Sequence, residues 1–255
     1  MPLLAFDTST DTMSIAVGDG RDTQRRVWQH SAAGGAQASA TLIPAILDLM
    51  SCAGIGFGDL DAIAFGCGPG AFTGLRTACS VAQGLAFGAR MPPGRAPLRL
   101  LAVDTLLAVA EEARSQQTAP GQPLRVLAML DARMDEIYAG AYAFDGRRWA
   151  QLADYRLARP EDLDLPAQWH GQDVLLAGNV FAAYGDRLPF ANAAHRLAVL
   201  PTATAMLRLA PDLLAQGCAV APEHALPTYI RDKVAQTTSE RAAAKAVPAV
   251  ATAPA

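Results

Sequence analysis

"LLAFDTSTDTMSIAVGDG" occupies residues 3–20. An apolar run from Leu3 ends at Asp7, and the polar residues Thr8 to Asp11 suit a tight reversal. Met13 to Val17 then alternate as a half-buried strand does, closing at Gly18. The same order returns in "VLAMLDARMDEIYAGAYAFDG", residues 126–146, with Asp131 in the place of Asp7 and an alternating stretch from Glu136 to Tyr142. Two strand–Asp–turn–strand units about half a chain apart predict two similar subdomains. Helical stretches follow the first unit: "ATLIPAILDLMSCAG" and, after the short strand "DAIAFG", "LRTACSVAQGLAFG". Strands alternating with helices indicate an α/β protein with mixed sheets. Two unrelated hairpins that happen to look alike remain the alternative on the sequence alone.

Composition narrows the class. Of 255 residues, 51% are apolar, which is enough for a sizeable core. With 21 basic and 24 acidic side chains the net charge is −3, which argues against a dedicated nucleic-acid-binding surface. Cys52, Cys67, Cys79 and Cys218 have no CxxC spacing and read as small hydrophobes in a reducing compartment. "MPLLAFDTSTDT" lacks a basic region and meets Asp7 early, so no signal peptide is expected. The chain contains no run of 18 or more apolar residues, so no membrane span is expected and a cytoplasmic location is inferred.

The glycine-rich loop in "FGCGPGAFTGLRTACSVAQGLAFG", residues 65–88, raises the question of a phosphate site. Walker A needs a lysine where Gly74 is followed by Leu75, Arg76 and Thr77, and a GxGxxG fingerprint fails after Gly70 at Ala71, Phe72 and Thr73. Backbone amides and Arg76 are the whole case for an anion, and turn geometry at Gly66, Gly68 and Gly70 explains the loop as well. A duplicated unit with Asp at its first hairpin nonetheless resembles the actin-like and sugar-kinase-like ATPases. There such a hairpin faces phosphates and metal. That resemblance makes Asp7, Thr8, Gly68, Gly70 and Thr73 the candidate nucleotide-side residues, read as vestigial.

The two helices are unusually apolar. Leu42, Ile43, Ile46, Leu47, Leu49 and Met50 leave few polar positions between Thr41 and Ser51. The second helix mixes small Ala78, Cys79, Ala82, Gly84, Ala86 and Gly88 with bulky Leu75, Val81, Leu85 and Phe87. Burial against a sheet accounts for part of this; the excess points to a partner. The residues assigned to that surface are Leu42, Ile43, Ile46, Leu49, Leu75, Ala78, Ala82 and Leu85.

"GCGPGAFTGLR" closely resembles the GxGPGSFTGLR signature of the bacterial TsaB (YeaZ) family. "LAFDTST", "LDARMDEIYAGAY" and "PEHALPTYIRDKV" match other family segments in order, with "AGN" and "PTATAMLRLA" fitting more loosely; the likeness runs to about Val234. It implies an actin-like duplicated fold of two RNase H-like subdomains. The first covers about residues 1–100 and is completed by a helix near 201–217, and the second covers 101–200. An extended segment at 218–235 and a disordered tail at 236–255 follow. It also implies a non-catalytic subunit with no cofactor of its own. Such a subunit pairs with the TsaD-type enzyme or with its own copy through helices corresponding to Thr41–Ala53 and Phe72–Phe87. With a TsaE-type ATPase, which brings ATP, the assembly threonylcarbamoylates the adenosine next to the tRNA anticodon. The tRNA is reached only through the complex.

Residue chemistry agrees with a non-catalytic chain. The TsaD enzyme holds its metal with an HxxxH pair; here Gln37 and Thr41 stand at that spacing, and His30, His170, His195 and His224 are scattered. Peptidase motifs are absent, with no HExxH, GxSxG or Cys–His arrangement. The chain departs from the family in having no histidine at the start of the first helix and Ala71 for the usual serine. "MPPGRAPLRL" reads as the crossing between subdomains or as a surface loop, and "RMDEIY" as a solvated turn. An autonomous actin-like ATPase or kinase using Asp7, Thr8, the Gly68–Gly74 loop and Asp131 is the competing reading.

Overall fold

The computed structural model describes residues 1–18, 26–117, 121–190 and 195–231. The tail at 236–255, expected to be disordered, lies outside them. The first hairpin pairs β1 (Leu3–Asp7) with β2 (Thr12–Gly18), antiparallel. The mixed sheet is completed by β3 (Val27–Ala33), β4 (Ala62–Gly68) and β5 (Arg99–Asp104), in the order β3-β2-β1-β4-β5. Its helices are α1 (Ala38–Ala53) and α2 (Phe72–Gly88), and α3 (Thr105–Gln117) leads to the second unit.

There β6 (Leu124–Arg133) and β7 (Glu136–Phe144) form the matching hairpin. They are joined by β8 (Trp149–Gln151), β9 (Arg156–Ala158), β10 (Leu175–Gly178) and β11 (Arg196–Ala198). The order β11-β10-β6-β7-β8 is that of the first sheet with β6 in the place of β1, and β9 also pairs with β7. The repeat in the sequence is thus a repeat of topology. A short α4 (Phe181–Tyr184) and a final α5 (Ala203–Ala215) complete the elements.

Period-2 alternation in β1 sends Leu4 and Phe6 to one core and Leu3 and Ala5 to another. The first core is closed by α1 and α2 through Leu42, Ile46, Ala78 and Ala82, the second by α5 through Met206 and Leu207. Each fully buried Leu or Ile contributes about 2 kcal/mol. Gly35–Ala53 is long and apolar enough by composition to cross a membrane. Its Ala38, Leu42, Ile46 and Met50 stripe is buried against the first sheet, as in the core helix of a folded domain. On the second sheet, α3 packs Leu106, Val109 and Ala110 against Val126, Ala128 and Leu130.

Two expected boundaries shift. A division at residue 100 falls inside β5, which ends at Asp104. "MPPGRAPLRL", residues 91–100, therefore follows α2 and runs into the first two residues of β5 within the first unit; it is the loop of the two expected readings and not the crossing. Arg95 fixes it there, donating to the carbonyls of Gly58, Asp59 and Leu60 and pairing with Asp61 at 2.7 Å.

Helices α3 and α5 meet through buried charge. Glu111, 3% exposed, accepts from Arg114, from Trp149 Nε1 at 3.0 Å and from Arg208 at 2.9 Å. Burial pushes its carboxyl up, but the hydrogen bonds and the two guanidinium charges outweigh this and hold it below the usual range. Arg208 also reaches Glu112, which accepts from the Thr202 hydroxyl. Replacing Arg208 by Ala leaves two carboxylates short of a donor and should lower stability by about 2 kcal/mol. Urea unfolding measures this; an unchanged midpoint would contradict the role given to this network.

Candidate functional site

The site that the repeat creates is the cleft between its two hairpin tips. On one side Asp7 ends β1, fully buried. Its Oδ1 accepts from the Ser9 amide at 2.9 Å and the Ser9 hydroxyl at 2.7 Å, while Oδ2 has no hydrogen-bond partner. Burial raises the carboxyl to about 6, offset only in part by the Ser9 hydrogen bonds. Gly66 on the adjacent β4 makes this position possible, since a Cβ there would stand 1.8 Å from Oδ2.

The glycine loop lies directly on the hairpin. Ala71 N–H donates to Ser9 O at 2.8 Å, and Thr8 Oγ1 donates to Gly74 O at 2.7 Å. A Cβ at Gly74 would be 1.8 Å from Thr8 O, and one at Gly70 would be 2.6 Å from Ser9 Cβ. The Gly68 N–H is taken by Thr105 Oγ1 at 3.1 Å. A metal-bound phosphate needs free amides, a free hydroxyl and an accessible carboxylate. Here two loop amides and the Thr8 hydroxyl are engaged within the protein, and Asp7 is sealed behind the loop. The hydroxyl and the carboxylate that a metal–phosphate site would use are thus not presented to the cleft. Among the described residues no three His, Cys, Asp or Glu side chains converge.

The five nucleotide-side candidates are accordingly redistributed. Gly70 alone among them lines the cleft cavity of about 290 Å³, with Ser9, Phe72, Leu130, Arg133 and Tyr229. Asp7 and Thr8 are buried and Gly68 packs against Leu75 and Thr228. Thr73 lies in a groove beside α1, its carbonyl accepting from Thr77.

Across the cleft, Asp131 accepts from the Arg133 amide at 2.8 Å and from Tyr184 OH at 3.1 Å, and Arg133 pairs with Asp11 on the opposite hairpin. The β6–β7 turn is exposed, as expected of a solvated turn, and its backbone adds a feature that the sequence did not show. Arg133, Met134 and Asp135 all have left-handed φ, at 61°, 57° and 64°, and Arg187 grips Asp135 at 2.5 and 2.9 Å.

The C-terminal segment, expected to be extended over 218–235, is a strap across both units as far as Arg231, and its contacts were not foreseen from the sequence. Val220 pairs with Leu100, Gln83 Nε2 donates to Pro222 O and Ala225 O, and Thr228 N–H donates to Cys67 O at 2.7 Å. Tyr229 packs against Phe72 with ring centroids 5.1 Å apart. Ile230 then packs on the core of the second unit, and Arg231 pairs with Glu136 and donates to Arg133 O. "PTYIR" carried the signal, but only as a motif. Deeper in, Tyr142 donates to Asp104, whose carboxyl burial raises to about 6 and hydrogen bonding partly restores. Burial first, then the Asp104 charge, pushes the Cys67 thiol up to about 12.

The residues assigned to a partner surface also divide. Leu42, Ile46, Ala78 and Ala82 are fully buried in the first core, and Leu75, 1% exposed, faces the cleft. They serve the fold and are not open to a partner. Ile43 is exposed, and Leu49 and Leu85 are half-buried. The apolar side chains that α1 and α2 leave open are Ile43, Leu47 and Phe87, at 42%, 48% and 66% exposure, while Leu49, Val81 and Leu85 on the same helices are half-buried. A Cβ at Gly84 or Gly88 would meet nothing within 4 Å, so α2 is bare there.

Duplicated mixed sheets around a cleft place the chain in the actin-like, sugar-kinase-like class. The sequence model described as TsaD, tRNA N6-adenosine threonylcarbamoyltransferase, matches residues 30–239. The tRNA threonylcarbamoyladenosine biosynthesis protein TsaB of Escherichia coli (strain K12) is 33% identical over 239 residues, 92% of this chain and 96% of that protein. Its Haemophilus influenzae namesake is 30% identical over 245 residues, 92% and 95% of the two chains. The solved structure of YeaZ from Pseudomonas aeruginosa superposes with a TM-score of 0.76 at 36% identity, covering 90% of this chain and 99% of that one. The chain belongs to the TsaB (YeaZ) family.

Buried Asp7 sets a pH dependence with a definite sign. Its folded value near 6 exceeds the ordinary 3.8, so the folded state holds the proton more tightly. Its contribution to stability is intact below about pH 4 and is lost as pH rises through 6, by about 3 kcal/mol at pH 7. Asp7→Asn keeps an acceptor for Ser9 without the charge. Urea unfolding should show the variant more stable by about 1–3 kcal/mol at pH 7.5 and level with the parent at pH 4. Destabilisation at pH 7.5 would contradict an ionised, unpartnered Asp7.

Proposed function

We propose that this chain is the non-catalytic docking subunit of a tRNA threonylcarbamoyladenosine-forming assembly. It pairs with a TsaD-type threonylcarbamoyltransferase and supports modification of the adenosine next to the anticodon. The observation that carries this reading is the pairing of a closed phosphate loop with an open apolar face. Thr8 and Ser9 are bound to the loop, while Ile43, Leu47 and Phe87 stand uncovered on α1 and α2. Fold likeness to ATPases is a weak guide to activity, because chemistry resides in sites. The names of the TsaB relatives support the pathway.

In this reading the chain uses no cofactor of its own. ATP and a metal enter with the TsaD-type and TsaE-type partners, tRNA meets the assembly and not the isolated subunit, and the location is cytoplasmic. The same apolar face serves homodimers when the partner is absent. An autonomous ATPase or kinase is disfavoured by the engagement of Thr8 with Gly74 and by the burial of Asp7.

The test is reconstitution with the TsaD-type and TsaE-type proteins of the same organism, the threonylcarbamoyl-adenylate donor and tRNA. Modification should require this chain, and Leu47→Glu should weaken the heterodimer about 30-fold or more while leaving the urea midpoint unchanged, because Leu47 is outside the core. Full modification without this chain would overturn the reading.

A further inference from the structure

A groove of about 430 Å³ lies beside the apolar face, between the start of α1 and the first turns of α2. Its lining includes Ser39, Thr73, Arg76, Thr77, Ser80 and Val81: several hydroxyls, one cation and no carboxylate. None of the ion pairs among the described residues involves Arg76. The Arg76 side chain is nevertheless held in place. Its guanidinium carbon lies 4.1 Å from the Phe72 ring centroid, and Nε donates to the Tyr229 hydroxyl at 3.2 Å. Phe72 and Tyr229 pack against each other with their rings tilted by 39°, and Tyr229 is itself fixed by the strap, whose Thr228 amide is bound to Cys67 O. The cation is therefore ordered by aromatic groups and a neutral acceptor. Among the described residues none accepts from its two terminal NH2 groups, which are open to a ligand.

We propose that Arg76 takes a carboxylate of the catalytic partner chain, so that this groove is the polar edge of the docking face. The proposal rests on the docking reading above and adds the chemistry by which the partner is recognised. A guanidinium with its fork open binds a carboxylate bidentately. Holding it in place beforehand lowers the ordering cost of association. A protein carboxylate is favoured over a nucleic-acid phosphate for two reasons. The groove is lined from α1 and α2, the helices that carry the open Ile43, Leu47 and Phe87, and it offers one cation on a chain of net charge −3, where a phosphodiester backbone needs a row of them. Tyr229 is a positioning residue here, acting through Arg76.

The experiment is calorimetric titration of the full chain with the TsaD-type protein at low and high salt. Arg76→Ala should weaken binding about tenfold or more and flatten its salt dependence. Arg76→Lys should recover the salt dependence but only part of the affinity, because a point charge lacks the fork. Tyr229→Phe should weaken binding less than Arg76→Ala and keep the salt dependence. Leu47→Glu is the control for the docking reading. If it abolishes binding while Arg76→Ala binds like the parent, the groove proposal falls and the docking reading stands. If neither substitution matters, both fall. If Arg76→Ala reduces tRNA binding by the isolated chain and leaves partner affinity unchanged, a phosphate ligand replaces the carboxylate and the proposal is overturned.

Discussion

The Thr8 hydroxyl donates to the Gly74 carbonyl at 2.7 Å, and much of the molecule's character depends on that short contact. Three side-chain-free positions permit it. Gly74 lies over the Thr8 carbonyl, Gly70 over Ser9, and Gly66 beside the Asp7 carboxyl, each closer than any Cβ tolerates. The glycines that in a phosphate loop let backbone approach a ligand here let backbone approach backbone. The loop is thereby tied to the first hairpin, Asp7 is sealed behind it, and the first turn of α2 is anchored. A rigid start to α2 in turn holds the bare outer face of the helix in one orientation.

The two subdomains are joined at several depths. Arg208, Glu111 and Glu112 connect α5 to α3 at the back, Tyr142 reaches Asp104 in the middle, and Arg133 meets Asp11 at the mouth. The strap adds a fourth tie, leaning on α2 through Gln83 and on the second hairpin through Arg231. Ties at the back, middle and mouth hold the two subdomains in one arrangement.

The repeat was legible in the sequence because its signal is local: an apolar run, an Asp, a turn and a period-2 strand, twice over. The extents of α1 and α2 were legible for the same reason. What each apolar residue faces was not. In a helix apolar on most sides, Leu42 and Ile46 look like Ile43 and Leu47, and only the position of the sheet separates buried from open. The glycine loop departs in its residues from the known phosphate loops, but its docking on the hairpin joins residues 66 apart and leaves no local trace. The Arg76–Tyr229 pair spans 153 residues and leaves no periodic trace. Composition left "MPPGRAPLRL" open between a crossing and a surface loop, since proline and arginine do not reveal that Arg95 is bound to three carbonyls of a neighbouring turn.

The central claim is that the closed loop leaves this chain without a nucleotide site of its own, and calorimetric titration of the purified chain with ATP and magnesium tests it directly. The account predicts no saturable heat at nucleotide concentrations up to the millimolar range. Saturable binding that is abolished by Asp7→Ala would contradict it, because Asp7 would then have to leave its buried position and face the ligand.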